Sequence, residues 1–296
     1  MRPEVPAAAP RASSTSRASF GERLAAARSG KGSLCVGIDP HPALLAAWGL
    51  PDSPEGLERF SLAVLDAVGP VSVALKPQVA LYERHGSRGF AVLETLLVRA
   101  ADAGVLTIAY AKRGDIGSTM QAYAEAWLGE GSPLAADAVT LNPYLGFESL
   151  RPALDLARST GRGVFVLALT SNPEGRSVQH VGGDASVARS IALAAAGENA
   201  DPDGAGRPGQ LGHVGLVVGA TVGDAAERLG LDLSRLNGPI LAPGVGAQGA
   251  GTRELRAAFG GALPLVLPTS SRAILAAGPD GTRLRTAAER TRDELA

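Results

Sequence analysis

The segment VLTIAYAKRGDIGSTMQAYA, residues 105–124, decides the fold of this chain, because an apolar run passes abruptly into charge and then into a helical pattern. The run 105–110 is apolar on both faces, which is typical of a parallel strand covered by helices. The pattern in 118–129 has the spacing of one helix face, with its apolar stripe at Met120, Tyr123, Ala124, Trp127 and Leu128. Lys112 and Asp115 lie between the two patterns. The segment therefore predicts a strand, a charged loop and a helix in succession.

The same unit recurs along the chain. Short apolar runs, each of strand length, stand at 33–38, 71–76, 105–110, 138–142, 163–168, 214–219, 239–242 and 264–268. Helical spacing between the runs is clearest at 54–69, 90–103 and 118–129. Eight strands that alternate with helices predict a (β/α)₈ barrel, the TIM-barrel fold of the α/β class, as a single domain over residues 18–296. An open doubly wound sheet is the alternative, but no G-x-G-x-x-G follows the first strand.

The composition is that of a globular protein and narrows the classes of partner. The 296 residues are 45% apolar and 19% charged, and 28 basic residues nearly balance 29 acidic ones. This balance does not indicate a surface for nucleic acid or for an anionic membrane. No apolar run approaches the roughly 20 residues that span a bilayer. The single cysteine, Cys35, cannot form an internal disulfide, so we expect a reducing compartment, the cytoplasm.

Two segments fall outside the repeating pattern. Residues 1–17 are rich in Pro, Ala, Ser and Arg and lack the compact apolar stretch of a secretory signal. We expect a disordered tail there, with a targeting peptide as the alternative. Residues 197–213 are rich in Gly, Pro and Asp, and we expect a long loop within the barrel rather than a linker between domains.

Polar side chains follow the predicted strands, at the end of a barrel where active sites form. Asp39, Lys76 and Lys112 end the first three strands, Asp115 stands just beyond the third, and Ser171 follows the fifth. A lone Asp before Pro is usually a turn residue, and a lone Lys is usually solvated. Several such residues on one rim indicate a site instead. Two neighbouring ammonium groups repel each other, so they need carboxylates between them or an anionic substrate.

The ends of the last two predicted strands suit a phosphate group. The turn PGVGAQG, residues 243–249, is rich in glycine and lets backbone N–H groups approach an anion. The segment TSSRAIL places Ser270, Ser271 and Arg272 at the start of a helix, where free N–H groups attract negative charge. The loops after strands seven and eight commonly bind phosphate in this fold.

At this point the sequence resembles the orotidine 5′-phosphate decarboxylase family, in its longer bacterial branch, from about residue 20 to the C-terminus. Six motifs stand in the order of that family: LCVGIDPHP (34–42), KPQVA (76–80), AKRGDIGST (111–119), NPYLGF (142–147), TSNPEG (170–175) and PGVGAQG (243–249). The resemblance implies a (β/α)₈ barrel and a homodimer with its sites at the subunit interface. It also implies conversion of orotidine 5′-monophosphate (OMP) to uridine 5′-monophosphate (UMP) and CO₂ in pyrimidine biosynthesis, without cofactor or metal. Neither the four histidines nor Cys35 shows the spacing of metal ligands.

The resemblance also implies roles in the chemistry. Lys112 would be the general acid that protonates C6 as CO₂ departs, and Lys76 would join the charge network and hold the ribose. Asp115, with Thr119, would complete the site of the neighbouring subunit. Asp39 would accept hydrogen bonds from the ribose hydroxyls.

The remaining roles implied by the resemblance concern substrate binding. Ser171 would hydrogen-bond the pyrimidine edge. The phosphate would be held by Gln179, Gly244, Gly246, Ser271 and Arg272. Because the phosphate is remote from the reacting carbon, its binding free energy can drive loop closure and place the carboxylate in the site.

One residue departs from the family pattern. The family motif begins D-A-K-R-G-D, whereas this chain has Tyr110 in place of the first Asp. In the family that Asp lies between the two lysines and repels the carboxylate of the substrate, which favours the transition state over the ground state. Tyr110 removes this charge unless it ionises, so we expect Lys112 to be less readily protonated.

Three explanations of Tyr110 stay open. The chain is a decarboxylase with an impairing substitution, or a diverged homologue that binds or converts another nucleotide, or a decarboxylase in which a tyrosinate between two lysines replaces the carboxylate. Burial opposes the last of these, because it raises the pKa of a phenol.

Other classes of protein use the same fold with similar residues. A Schiff-base aldolase would use Lys76 or Lys112 as a nucleophile, but Lys112 lies in a charged turn rather than in an apolar pocket. A related barrel branch binds Mg²⁺ with a D-x-K-x-x-D motif, and Tyr110 removes one ligand of that branch. A nucleotide-binding protein without catalysis would keep the phosphate and ribose groups, and it is the main rival hypothesis.

Overall fold

The computed structural model describes residues 17–200, 211–246 and 249–295, and it shows eight parallel strands that close into a barrel in the order β1 to β8. The strands are β1 (Cys35–Ile38), β2 (Ala74–Pro77), β3 (Leu106–Arg113), β4 (Ala138–Leu141), β5 (Gly163–Leu169), β6 (Val214–Val218), β7 (Ile240–Pro243) and β8 (Val266–Ser270). Every predicted run overlaps one strand. The (β/α)₈ barrel is confirmed, because β1 pairs with β8 and no sheet edge remains open among these strands.

Helices join the strands and cover the outside of the barrel. They are α1 (Phe20–Lys31), α2 (Pro42–Ala47), α3 (Pro54–Val68), α4 (Val79–Glu83), α5 (Gly86–Asp102), α6 (Gly117–Leu128), α7 (Arg151–Ser159), α8 (Arg176–Gln179), α9 (Val187–Glu198), α10 (Ala225–Arg228), α11 (Thr252–Phe259), α12 (Arg272–Leu275) and α13 (Gly281–Glu294). The helices predicted at 54–69, 90–103 and 118–129 correspond to α3, α5 and α6. None of the helices in the described ranges is long and apolar enough to cross a membrane.

The helix boundaries follow local sequence signals. Ser53 caps α3 by accepting a hydrogen bond from the Gly56 N–H, and Pro54 occupies the first helical position, where its missing N–H has no cost. Helix α1 begins with a capping box, in which Ser19 and Glu22 satisfy each other's backbone N–H groups. These signals fix where α1 and α3 start.

Helix α1 closes the amino-terminal end of the barrel. Phe20 and Leu24 are fully buried and belong to the cluster that fills the barrel interior, together with Cys35, Val73, Ala74, Ile108, Ala138, Phe165, Val217, Leu241 and Leu267. The rings of Phe20 and Phe165 meet edge to face, with centroids 5.9 Å apart. A Cβ on Gly163 would lie 2.4 Å from the Phe20 ring, so glycine is required there. Among the described residues, α1 thus closes this end, which leaves the opposite, carboxyl-terminal end for a ligand.

The two segments without a pattern lie largely outside the described residues. Of the predicted tail 1–17, only Arg17 is described, and it forms an ion pair with Asp137. Of the predicted loop 197–213, residues 201–210 are not described. The first part of that loop is not irregular, because α9 continues to Glu198 and the buried Asn199 side chain donates hydrogen bonds to the carbonyl oxygens of Val214 and Leu236.

Candidate active site

A cavity of about 460 Å³ opens at the carboxyl-terminal ends of the strands. Most of the residues predicted for the site line it: Asp39, Lys76, Tyr110, Lys112, Ser171, Gly244, Ser271 and Arg272. These residues come from β2 and β3 and from the segments that follow β1, β5, β7 and β8. The barrel topology thus brings together residues that are up to 233 positions apart in the sequence, Asp39 and Arg272 being the extremes.

The aromatic ring of Tyr110 contacts the ammonium groups of both lysines. Lys76 Nζ is 4.2 Å from the ring centroid and Lys112 Nζ is 4.7 Å from it, both within the range of a cation–π interaction. The ring also packs against the apolar residues of the barrel interior. Both ammonium groups therefore share one aromatic side chain, and the shared-site prediction for Lys76 and Lys112 agrees with this geometry.

The phenol of Tyr110 is neutral near neutral pH. Burial raises the pKa of Tyr110 to about 12, and the Asp39 carboxylate adds to the rise. The attraction of the two ammonium groups does not overcome burial. The tyrosinate explanation is thus disfavoured, and the ring supplies polarisable electron density but no formal charge.

Lys112 is held by an unusual backbone conformation. Its φ is +50°, in the left-handed region that a lysine rarely adopts. The pairing of β3 with β4 shifts register between Ala109 and Arg113, and the Lys112 N–H donates a 2.9 Å hydrogen bond to Thr140 Oγ1. Strain of this kind persists where surrounding contacts impose it, and it is typical of functional positions. The shifted register directs Lys112 to the cavity.

The surroundings of Lys112 disfavour its protonated, charged form. Burial lowers the pKa of Lys112, and the neighbouring Lys76 ammonium lowers it further. This direction agrees with the expectation that Lys112 is less readily protonated without a carboxylate at position 110.

Lys76 has a carboxylate partner. Its Nζ lies 3.9 Å from Asp39 Oδ1, and its side chain is only 4% exposed. Asp39 Oδ1 is buried and accepts no hydrogen bond from any described residue. An acceptor that lines a cavity without a donor is suited to a hydroxyl group of a ligand.

The residues predicted to bind phosphate lie mainly at the ends of β7 and β8. The Ser271 side chain packs on the backbone of Gly37, where an added Cβ would lie 2.0 Å from Ser271 Oγ. Gly244 has a φ of +114°, a conformation that favours glycine. Helix α12 begins at Arg272 as the sequence predicts, but it has only four residues, so its dipole is small. The guanidinium of Arg272 is therefore the main positive group here.

Four predicted residues do not line the cavity. Both ends of the Gln179 amide bond to Thr170, each at 2.8 Å. The Gly246 N–H donates to the Ala250 carbonyl oxygen at 2.9 Å rather than facing the cavity. Asp115 accepts a 2.8 Å hydrogen bond from the Ile116 N–H, and Thr119 is exposed in the first turn of α6.

The structure adds residues to which the sequence argument gave no role. His41, Gln78, Thr170 and Asn172 also line the cavity. The backbone of Gln78 pairs with that of Tyr110 through an isolated parallel bridge. This pairing helps to fix the backbone from which the Tyr110 ring extends. The signal was present, because Gln78 directly follows the end of β2 in the quoted motif KPQVA. No group of three or more His, Cys, Asp or Glu side chains suited to a metal ion occurs within the described ranges.

These observations define a class of protein, a (β/α)₈ barrel with a cationic cavity for a small anionic ligand at the carboxyl ends of its strands. The chain matches the orotidine 5′-phosphate decarboxylase / HUMPS family over residues 32–287, and it belongs to that family.

Individual relatives match nearly the whole chain. The orotidine 5′-phosphate decarboxylase of Streptomyces coelicolor is 54% identical over 278 residues, which cover 93% of this chain and 96% of the relative. The one of Salinispora arenicola is 54% identical over 275 residues, which cover 92% and 95%. A solved structure from Streptomyces avermitilis superposes with a TM-score of 0.89 at 52% identity, covering 97% and 98% of the two chains. The OMP decarboxylase of Leishmania donovani superposes with a TM-score of 0.72 at 30% identity, covering 94% and 97%.

Proposed function

We propose that this chain is a carboxy-lyase that converts OMP to UMP and CO₂ in pyrimidine nucleotide biosynthesis. The observation that carries the proposal is the convergence of Lys76 and Lys112 in one cavity whose wall also holds Arg272 and Gly244. The relatives at 50–54% identity that bear this name span nearly the whole chain. Such a cavity offers one cation for a phosphate and two for the reacting end of the substrate.

The chemistry assigned to Lys112 is proton donation. The bond between C6 and the carboxylate carbon breaks, its electron pair stays on C6, and CO₂ leaves. The Lys112 ammonium gives its proton to C6 and regains one from water. A lowered pKa makes Lys112 a stronger acid, but it also reduces the protonated fraction at higher pH.

Binding roles follow from where the side chains stand. We assign the ribose hydroxyls to Asp39, whose buried Oδ1 lacks a donor among the described residues, and the pyrimidine edge to Ser171. We assign the phosphate to Arg272, Ser271 and Gly244, which line the same cavity. Gln179 and Gly246 remain candidates for binding the phosphate. Gln179 would first have to break its hydrogen bond with Thr170.

We also propose that the active form is a homodimer in which Asp115 and Thr119 complete the partner's site. The loop containing Asp115 packs on the loop after β4, because an added Cβ on Gly114 would lie 2.2 Å from the Asn142 carbonyl oxygen. Large apolar side chains are exposed on these two loops, namely Ile116, Tyr144 and Leu145. These exposed apolar side chains lie near Asp115 and Thr119, which do not line the cavity of their own chain. Such a surface is suited to an interface with a second copy of the chain.

Two further inferences complete the proposal. Residues 18–296 are taken as one barrel domain, supported by the pairing of β1 with β8. The cytoplasm is taken as the compartment, supported by Cys35, the single cysteine, which is buried and free.

The position of Tyr110 is part of the proposal. By its place two residues before Lys112, it occupies the position of the first Asp in the family motif, and it leaves the other charged residues of that motif in place.

Release of CO₂ from OMP labelled at its carboxyl group tests the function. The wild-type protein should release CO₂ and form UMP in equal amounts, above the rate without protein, and Lys112→Ala should abolish both. Tight nucleotide binding without any CO₂ release, from wild type and Tyr110→Asp alike, would overturn the proposal.

A further inference from the structure

The residue that follows Lys112 makes its contacts outside the cavity. Arg113 is the last residue of β3, and it lies outside the described lining of the cavity. Its guanidinium donates a 3.1 Å hydrogen bond to the Ala111 carbonyl oxygen and a 2.8 Å hydrogen bond to Glu83 Oε1. The guanidinium carbon also lies 5.9 Å from the centroid of the Tyr123 ring on α6. One side chain thus joins the end of β3 to both α4 and α6.

The hydrogen bond to Ala111 spans Lys112. Ala111 and Arg113 flank Lys112, so this bond closes a ring around the residue whose φ is +50°. The Arg113 carbonyl oxygen in turn accepts a 2.7 Å hydrogen bond from the Asn142 N–H. A strained conformation persists only where surrounding contacts impose it. Both contacts of Arg113 therefore support the conformation of Lys112, together with the bond from the Lys112 N–H to Thr140.

The hydrogen bond to Glu83 reaches the segment that carries the other lysine of the site. Lys76 lies on β2, and α4, which ends at Glu83, follows that strand after one residue. This short helix is anchored by Tyr82, which is fully buried and forms a 2.8 Å hydrogen bond with Ser61 on α3. The Glu83 carboxylate therefore has a fixed place relative to Lys76. Its bond with Arg113 ties the two lysine-bearing segments together on the side away from the cavity.

We propose that Arg113 is a positioning residue, which the Glu83 carboxylate holds in place so that Lys112 keeps its position beside the other lysine. The inference rests on the proposed function for the reaction, but the position of Lys112 can also be followed without turnover. Lys112 can protonate C6 only if its ammonium lies within reach of that carbon. A misplacement of about 1 Å can cost about 10²-fold in rate.

The contact between Arg113 and Glu83 acts on position more than on stability. The Arg113 side chain is 21% exposed and that of Glu83 is 44% exposed. An ion pair so close to solvent contributes little to the free energy of unfolding. Its geometric effect is larger, because the planar guanidinium holds the Ala111 carbonyl oxygen and the carboxylate at once, whereas the compact ammonium of a lysine lacks this fork. We therefore expect a loss of kcat without a comparable loss of stability.

Steady-state kinetics with OMP test the proposal. Arg113→Met keeps the apolar stem and removes the guanidinium, so kcat should fall about 10²-fold with a much smaller change in KM. Arg113→Lys should recover only part of this loss. Glu83→Gln removes the charge that holds the guanidinium and should also lower kcat. Because the two residues act through one contact, the double variant should be no slower than Arg113→Met.

Arg151→Met is the matched control. Arg151 on α7 also joins two outer elements, since its guanidinium lies 2.7 Å from Glu198 Oε1 on α9. It too lies outside the described lining of the cavity, so this variant should leave kcat and KM unchanged. Denaturant unfolding and sedimentation compare the stability and the association state of all variants with those of the wild type. A similar loss of kcat in the control, or additive effects of Glu83→Gln and Arg113→Met, would overturn the inference.

The pKa of Lys112 gives a readout that needs no turnover. Burial lowers this pKa in the wild type, and the Lys76 ammonium lowers it further. If Arg113→Met lets Lys112 move outward, both influences weaken and the pKa should rise. NMR of isotope-labelled lysine side chains measures the pKa, and Lys112→Gln assigns the signal. No positioning variant alters the other titratable groups of the described cavity lining, which are Asp39, His41, Lys76, Tyr110 and Arg272.

The direction of the pKa change separates the proposal from an effect on the second chain. In the proposed homodimer, Asp115 of the other chain also faces this site. A change that merely withdrew Asp115 would lower the pKa of Lys112, because a nearby carboxylate raises it. An unchanged or lower pKa in Arg113→Met would therefore overturn the inference, and Glu83→Gln gives the same readouts if Arg113→Met does not fold. A wild type that releases no CO₂ would overturn the proposed function, whereas a raised pKa of Lys112 would still support the positioning role.

Discussion

At the scale of single residues, Tyr110 separates two tasks that a carboxylate would perform together. Its ring holds Lys76 and Lys112 near each other and fills apolar space at the top of the barrel interior. It does not neutralise them, since its phenol is not ionised near neutral pH. A substrate carboxylate that pairs with Lys112 stabilises the bound ground state, and such pairing raises the barrier to losing CO₂.

Tyr110→Asp should therefore increase turnover of OMP. A preorganised electrostatic group is commonly worth about 10²–10³-fold in rate, so kcat should rise by about that factor. Tyr110→Asn is the matched control, because it has the shape of Asp without the charge, and it should gain little. The measurement is CO₂ release at saturating OMP. Similar rates for Asn and Asp would show that space rather than charge limits the wild type.

The charge of Lys112 also predicts a pH dependence. Burial and the ammonium of Lys76 lower the pKa of Lys112, so its charge is lost as pH rises through that lowered value. The groups that face this region are Lys76 on β2, Tyr110 on β3, Asp39 after β1 and Arg272 on α12. The affinity for OMP should therefore decrease as pH rises. The decrease should begin at a lower pH in the wild type than in Tyr110→Asp, because the new carboxylate would raise the pKa of Lys112.

Titrations of OMP and UMP across a pH series check this dependence. UMP has no C6 carboxylate to pair with Lys112, so the affinity for UMP should change less over the same pH range. Parallel curves for the two nucleotides would assign the pH dependence to the phosphate end of the cavity instead.

At the scale of elements, strand β3 illustrates what the sequence could and could not predict. Its apolar run predicted a strand that ends at 110, yet β3 continues to Arg113 through a shift of register. The shift depends on the pairing with β4 and on a left-handed Lys112, which local propensity does not indicate. Similarly, β2 begins at Ala74 rather than at 71, because Gly69–Val71 forms a 3-10 turn. The sequence pattern predicts the alternation of strands and helices, whereas these strand boundaries depend on tertiary contacts.

Thr140 on β4 should control the position of Lys112. Thr140→Val removes the hydroxyl that accepts from the Lys112 N–H and keeps the shape of the side chain. The variant also loses the longer hydrogen bond, 3.4 Å, that the hydroxyl donates to the Ala109 carbonyl oxygen. Each lost hydrogen bond predicts a decrease of about 0.5–1.5 kcal/mol in the free energy of unfolding. Because Lys112 loses the contact that holds its strained backbone, kcat should fall more than KM changes.

Thr107→Val is the matched control for Thr140→Val. Thr107 lies on β3, and its hydroxyl also forms a hydrogen bond, with Asp137 near the opposite end of the barrel. The control should lose stability without a comparable loss of kcat. Denaturant unfolding and steady-state kinetics on both variants separate the two effects, and equal losses of kcat would show that Thr140 acts only through stability.

At the scale of the whole molecule, the barrel gathers a site from strand ends that are far apart in the sequence, and α1 seals the other end. The sequence predicted the closed barrel, because eight apolar runs alternate with helices, and it placed most of the cavity residues. It did not predict the sealing role of α1, whose Phe20 and Leu24 stand among small and charged residues. Nor could it predict that both ammonium groups would lie over one ring, since that depends on side-chain conformations set by packing.

The proposed homodimer predicts complementation between two impaired variants. If Asp115 serves the partner's site, each site takes its Lys112 from one chain and its Asp115 from the other. Lys112→Ala and Asp115→Asn then remove groups that different chains contribute. In a mixed dimer, one site carries both changes and the other carries neither. Random exchange of subunits makes about half of the dimers mixed, so the mixture should recover about a quarter of the parent's activity.

The complementation is measured in a parent with ample turnover, such as Tyr110→Asp if it gains activity as expected. Each variant alone and a mixture prepared without subunit exchange are the controls. Sedimentation at the assay concentration reports whether dimers are present. Recovery after exchange would require that one intact site be built from two chains. A dimer that exchanges subunits and recovers nothing would show that Asp115 acts within its own chain, in which case the exposed apolar loops at Ile116 and Tyr144 would not assemble the site.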